Sequence, residues 1–165
     1  MTITKLTALL ALAAAHALAE EAATTPRHRI VISIPDRKLV LFEEDRVVKL
    51  YDVAVGKRST PSPAGRHQVI NRIAHPTWYN HGKPVPPGKK NPLGTRWLGI
   101  SSKGYGIHGT NAPLSIGKAA SGGCIRMRNA DVEELFNLIQ VGVEVDLKTE
   151  TPQSLAALIA VAAAD

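Results

Sequence analysis

Apolar and polar positions alternate with a period of two through much of the chain and switch to a helical period once. The runs RIVISI (29–34) and KLVLFE (38–43) are rich in β-branched and aliphatic residues and are split by Pro35-Asp36-Arg37, a turn signal. RVVKLYDVAVG (46–56) follows Glu44 and Asp45, so three strands in close succession predict an antiparallel meander. KRSTPSPAG (57–65) is too rich in turn formers to be a strand interior, while RHQVINRIAH (66–75), RWLGIS (96–101), YGIHG (105–109) and VEVDLK (143–148) read as further strands. In NADVEELFNLIQ (129–140), Val132, Leu135, Phe136 and Ile139 fall on one helical stripe. Asn129 is the expected N-cap, Asp131, Glu133 and Glu134 load the first turn, and Gly142 ends the element.

Between these elements, residues 76–95 hold five prolines and three glycines, which predicts an irregular loop. Trp78 and Tyr79 mark it as an ordered loop packed on something, a lid or a structural Pro-rich loop, rather than a slack connection. The pattern as a whole gives a mainly β domain: a sandwich or partly open barrel of about seven to nine strands with one main helix. The Ala-rich 154–164 is expected to add a C-terminal helix in a tail spanning 149–165. No internal repeat is visible.

The N-terminus changes the setting. Lys5 precedes an apolar run from Leu6 to about Leu18, Ala17-Leu18-Ala19 fits a small-residue cleavage site, and Glu20 and Glu21 follow. Residues 1–19 read as a secretory signal peptide and 20–28 as a short leader, leaving a domain at 29–148 in the periplasm or cell-wall space. The apolar run is shorter than the ~20 residues a membrane span needs, and no later segment of the mature protein qualifies. The full chain carries 20 Lys+Arg against 14 Asp+Glu. Loss of Lys5 leaves a net charge of +5 (19 against 14), which suits an anionic wall polymer or membrane surface. The basic residues are scattered singly, so nucleic acid is not an expected partner.

Against that background the single cysteine, Cys124, becomes informative. It cannot form an intrachain disulfide, and an exported free thiol is either buried as a small apolar group or used. Ser121-Gly122-Gly123 precedes it, a turn that exposes backbone N–H groups beside the sulfur, where an oxyanion would develop. His108, in GYGIHGTN, closes a strand candidate; if that strand runs beside 123–128, imidazole and thiol come within reach. A cysteine–histidine pair is expected to lower the thiol pKa and supply acid–base capacity. A redox role lacks a resolving cysteine. Gly104-x-Gly106-x-x-Gly109 matches a dinucleotide fingerprint, but TNAPLSIG follows where a helix must open. Zinc is not expected either, because Cys124 and His108 have no further ligands in a suitable spacing.

The stretch GIHGTNAP…SIGKAASGGCIRMRNADVEELF resembles the catalytic core of the L,D-transpeptidases, bacterial cell-wall enzymes with a YkuD-type domain. TPSPAG, HPTWY and VPPGKKNPLGTRWL extend the likeness over residues 29–148. The resemblance implies a β-sandwich-like fold and a peptidoglycan stem tetrapeptide as substrate, with no cofactor and no metal. Cys124 would attack the carbonyl of the third residue, D-Ala would leave, and the thioester would pass to an amine on a neighbouring stem or a wall-attached protein. His108 would act as base and acid, the Gly109 carbonyl would orient its ring, and the N–H groups of Gly122, Gly123 and Cys124 would form the oxyanion hole. Arg126 would hold a substrate carboxylate or brace the loop. Ser121, Tyr105, Trp78 and Tyr79 are the other expected substrate contacts, with Trp78 and Tyr79 covering the cleft and Lys89 and Lys90 meeting anionic stem groups. An L,D-carboxypeptidase, with water as acceptor, and a non-catalytic wall-binding module remain open. One departure stands out: many members have histidine where this chain has Gly122.

Overall fold

The computed structural model describes residues 27–153 and 155–157. The expected signal peptide, nearly all of the expected leader and most of the expected C-terminal helix lie outside the described residues.

The first runs fold as the period-two pattern predicts. β1 (His28–Ser33), β2 (Lys38–Glu43) and β3 (Arg46–Asp52) form the antiparallel meander. The third run breaks after Asp52, and β4 is only Val55–Gly56. There follow β5 (Gly65–Ala74), β6 (Trp78–Asn80), β7 (Lys83–Val85), β8 (Arg96–Ile100) and β9 (Gly106–His108). A 3-10 turn (Pro113–Ser115), β10 (Ala119–Ser121), β11 (Ile125–Arg126), helix α1 (Asn129–Leu138) and β12 (Glu144–Lys148) complete the order. Eight strands make one curled sheet in the order β11-β9-β8-β5-β12-β1-β2-β3, a half-barrel, as the mainly β pattern predicts.

Two features explain the unbroken apolar runs of β1 and β2. Their inward residues, Ile30, Ile32, Leu39 and Leu41, join the main core with Val69, Leu98, Ile107, Ile125, Val145 and Leu147. Their alternate residues, Val31, Val40 and Phe42, are covered on the other face by Leu155. Strands buried on both faces lose the alternation that half-buried strands keep. Each such side chain withdrawn from water contributes about 1.5–3 kcal/mol.

Helix α1 packs over β8 and β9, behind the strand that carries His108. Val132, Leu135 and Ile139 are fully buried, and Phe136 lies under the guanidinium of Arg72, 4.3 Å from the ring centre. The helix ends at Leu138, before the expected Gln140, because Ile139 turns to extended backbone as it enters the core. Its N-cap is Arg128, without a side-chain cap bond, so Asn129 is the first helical residue rather than the cap. The Asn129 Oδ1 instead accepts the N–H of Thr110, 3.0 Å away. Of the acids expected in the first turn, Asp131 is there and pairs with Arg128, while Glu134 reaches across to Lys49 and Tyr51 of β3.

Within the segment expected to be irregular, residues 78–85 form a small hairpin, while 86–95 are irregular as expected. β6 and β7 pair antiparallel around His81 and Gly82, whose φ values of 47° and 82° give the left-handed pair that a tight hairpin turn requires. Pro84 is tolerated in β7 because the two strands are three residues long and stand apart from the main sheet. The base of the segment is fixed by Asn91, which is fully buried. Its amide donates to the carbonyls of Pro76, Val85 and Pro86, and its Oδ1 accepts the N–H of Leu93.

Candidate active site

The site follows from one parallel register. Ile125 pairs with Ile107 and Arg126 with His108. Cys124 therefore falls beside Gly106, whose backbone bears on the thiol. Ile107 and Ile125 turn into the core. Alternate residues on a strand point the other way, so His108, Cys124 and Arg126 share the opposite face, with Gly106 among them. Gly106 keeps that position open and also admits Trp97: a Cβ there would stand 2.7 Å from the indole ring.

His108 is buried against Trp97, its partner on β8, with ring centres 5.7 Å apart and nearly parallel. Its Nδ1 lies 2.6 Å from the Gly109 carbonyl. A carbonyl only accepts, so Nδ1 carries the proton and Nε2 keeps its lone pair in the neutral ring. Burial pushes the imidazole pKa down to about 4, against the Gly109 and Leu93 carbonyls, which favour the charged form; the nearby Arg126 guanidinium lowers it further. The ring is neutral near pH 7 and able to take a proton.

The Cys124 thiol is half-buried. Its pKa is raised, because burial outweighs the lowering by the Gly106 backbone and Arg126. The lowered thiol expected from a cysteine–histidine pair is therefore not what these surroundings produce. The sulfur's hydrogen-bond contact is the Gly104 carbonyl at 3.8 Å. Among the hydrogen bonds of the described residues none joins sulfur to imidazole.

The turn in front of the sulfur is tied from within. Ser121 is buried, and its Oγ donates to the Cys124 carbonyl (2.5 Å) and accepts the N–H of Gly123 (3.0 Å). The Ser121 carbonyl accepts from Thr60 Oγ1 and from the N–H of Lys57, both at 3.1 Å. Gly123 has φ +116°, and a Cβ there would stand 2.5 Å from the Tyr105 ring. Gly122, by contrast, faces open space. Of the three expected oxyanion donors, Gly123 thus already has an acceptor in Ser121, whereas the N–H groups of Gly122 and Cys124 have none among the described residues.

Arg126 exchanges two backbone bonds with Ala54 (2.8 and 2.9 Å), but its guanidinium makes no hydrogen bond or ion pair among the described residues. Trp78 is half-buried and Tyr79 exposed on the β6–β7 hairpin. The groups that bear on sulfur and imidazole come from Leu93, Trp97, Gly104, Gly106, Gly109 and Arg126. A cavity of about 270 Å³ opens at the end of β9, with His75, Lys89, Asn91, Thr95, Thr110 and Asn129 in its wall; Cys124 is not among the lining residues. Lys89 thus faces a cavity, while Lys90 holds Asn111 through its carbonyl.

Sequence reading missed Trp97, Thr60 and Asn91. Only Asn91 had a signal, the Asn-Pro pair of KNPLG that marks a turn. Gly106, read as part of a rejected fingerprint, lies in a strand followed by a 3-10 turn and not by the α-helix that the fingerprint needs. Among the described residues no group of three or more His, Cys, Asp or Glu side chains is placed to hold a metal, and no helix is long and apolar enough to cross a membrane.

Comparison with known proteins agrees with this arrangement. A profile of the YkuD family, described as the L,D-transpeptidase catalytic domain, matches residues 27–147. A putative L,D-transpeptidase, YkuD of Bacillus licheniformis, is 46% identical over 120 residues; the match takes in 73% of this chain and 65% of that relative. Among solved structures, the catalytic domain of the Enterococcus faecium L,D-transpeptidase aligns with a TM-score of 0.61 at 25% identity, over 76% of this chain and 99% of that one. The Ldtfm–avibactam carbamoyl enzyme aligns at 0.64 and 25% identity, over 76% of this chain and 50% of that one.

Proposed function

The chain belongs to the YkuD family of L,D-transpeptidase catalytic domains, and from that membership we propose that it acts on peptidoglycan stem tetrapeptides through a thioester at Cys124. The observation that carries this reading is the common face of His108, Cys124 and Arg126, imposed by the register of β9 and β11.

With a raised thiol and a neutral imidazole, the pair rests uncharged, and the proton moves as the bond forms. Sulfur attacks the carbonyl carbon of the third stem residue while His108 Nε2 takes the thiol proton. The carbonyl oxygen becomes an oxyanion held by the N–H groups of Cys124 and Gly122; loss of one such donor typically raises a barrier by about 3–4 kcal/mol. The C–N bond to D-Ala then breaks, the imidazolium returns its proton to the leaving amine, and the thioester remains. An acceptor amine attacks the thioester and gives up a proton to His108, the amide forms, and the thiol is restored. The Gly109 carbonyl keeps the ring in the tautomer these steps need. Arg126, whose guanidinium has no hydrogen-bond or ion-pair partner among the described residues, is the group for a substrate carboxylate, which argues against a bracing role. The export signal read at residues 1–19 would deliver the domain to the compartment where stems lie.

Purified protein incubated with a stem tetrapeptide, with and without a diamino-acid acceptor stem, tests the proposal. Cross-linked dimer plus D-Ala supports transpeptidation. Tripeptide plus D-Ala assigns water as the acceptor. Binding to sacculi without any product, unchanged in Cys124→Ala, would leave only a wall-binding module.

A further inference from the structure

The peptide unit between Gly109 and Thr110 is held from both sides. Its carbonyl faces His108 Nδ1 at 2.6 Å, and its N–H donates to Asn129 Oδ1 at 3.0 Å. In a trans peptide these two groups point in opposite directions across one rigid plane. Whatever grips the N–H therefore sets the direction of the carbonyl. Donating the N–H also polarises the carbonyl and makes it a better acceptor.

Space around Asn129 has been cleared for this contact. A Cβ on Gly109 would stand 2.2 Å from Asn129 Oδ1, and a Cβ on Gly94 would stand at the same distance. Both positions are glycine, so the amide of Asn129 lies in a slot that any other residue would close. Asn129 is also the first residue of α1, where its side chain is not needed as a cap. Helix α1 rests on β8 and β9 through Val132 and Leu135, which fixes the slot relative to the histidine strand.

We infer that Asn129 is a positioning residue for catalysis, acting through the Gly109–Thr110 peptide to hold the His108 ring in its Nδ1–H tautomer with Nε2 free for the thiol proton. The inference rests on the thioester reading of Cys124 and His108, although its first readout does not require turnover. The order is Asn129 side chain, backbone peptide, imidazole and sulfur. The Asn129 side chain bonds the Thr110 N–H, while the sulfur's hydrogen-bond contact is the Gly104 carbonyl, so its effect is expected on proton transfer rather than on substrate affinity.

The test compares Asn129→Ala and Asn129→Ser, which cannot reach the Thr110 N–H, with Asn129→Asp, which keeps an acceptor there. Nitrogen-15 and proton NMR of the histidine ring reports the tautomer and the protection of the Nδ1 proton in each protein without substrate. In the parent and in Asn129→Asp a protected Nδ1 proton is expected. In Asn129→Ala and Asn129→Ser its resonance is expected to shift and broaden, with kcat on a stem tetrapeptide falling roughly ten-fold or more and KM nearly unchanged, the scale of one lost hydrogen bond. Circular dichroism identifies the folded variants, and either shortened variant suffices. An unchanged Nδ1 resonance in a folded Ala or Ser variant would overturn the inference, as would a fall in kcat that only tracks the folded fraction. If the parent turns over no stem peptide, the proposed function fails while the NMR comparison still decides the role of Asn129.

Discussion

Arg126 and His108 are partners in the parallel register of β9 and β11, and the Arg126 guanidinium lowers the pKa of both the imidazole and the nearby thiol. A cation held beside a nucleophile, with no counter-ion among the described residues, is suited to an anionic substrate group. Arg126→Gln is expected to raise KM for a stem tetrapeptide while leaving the melting temperature nearly unchanged. A charge-assisted hydrogen bond contributes about 1.5–3 kcal/mol, so kcat/KM should fall by roughly ten- to a hundred-fold. Steady-state kinetics with a calorimetric scan separates this from a bracing role, in which stability would fall and KM would hold.

His108 makes stability depend on pH in a defined window. Its folded pKa is about 4 against an ordinary value of 6.5, so between these values the unfolded chain binds a proton that the folded chain refuses. Stability is then lost as pH falls from about 6.5 to about 4, by up to ~3 kcal/mol. The lowered carboxyls of Asp36, Asp52 and Glu134 also lose their contribution on acidification, but below their ordinary values of 3.8 to 4.5. Urea unfolding at several pH values should show a slope between pH 6.5 and 4.5 in the parent that flattens in His108→Gln.

The two glycines before the nucleophile are predicted to differ sharply. Gly122 faces open space, so Gly122→His, the residue many family members carry there, should fold as the parent does, within about 0.5 kcal/mol. Gly123→Ala must accept a left-handed φ of +116° and a Cβ 2.5 Å from Tyr105. It should lose at least ~1–3 kcal/mol and nearly all activity, since the turn under Cys124 cannot form unchanged. Chemical denaturation and a stem-peptide assay on both variants check the pair.

Asn91 is the pin of the 76–95 segment. Asn91→Ala removes the donor that serves Pro76, Val85 and Pro86 and the acceptor for Leu93 in a fully buried position. Leaving such groups unpaired costs about 1–3 kcal/mol, and the hairpin should become the first site of proteolysis. Cleavage mapped to 76–95 in the variant and not in the parent is the expected result.

Strands were legible in this chain where β-branched runs met turn signals, as at Ile30–Ile34 and Leu39–Phe42. The hairpin at 78–85 was hidden because Pro84 and the prolines flanking it argue against strands, although Asn80-His81-Gly82-Lys83 carries glycine where a tight hairpin turn accepts it. Asn129 was misread for a different reason. Capping rules read residue type at a boundary, whereas here tertiary structure draws the side chain to Thr110. Cys124 and His108 were recognisable individually, but their shared face depends on a parallel pairing across the connection 109–124, which local pattern does not specify. The raised thiol could not be read from sequence at all, because it comes from burial.

The central claim is that a neutral thiol at Cys124 becomes a thioester with His108 taking its proton. Intact-mass spectrometry of rapidly quenched mixtures with a stem tetrapeptide tests it directly. The account predicts a single adduct equal to the tetrapeptide minus D-Ala, mapped to the peptide containing Cys124, absent in Cys124→Ser and strongly slowed in His108→Ala. Turnover of the stem in Cys124→Ser, or an adduct forming as fast without the imidazole, would contradict it.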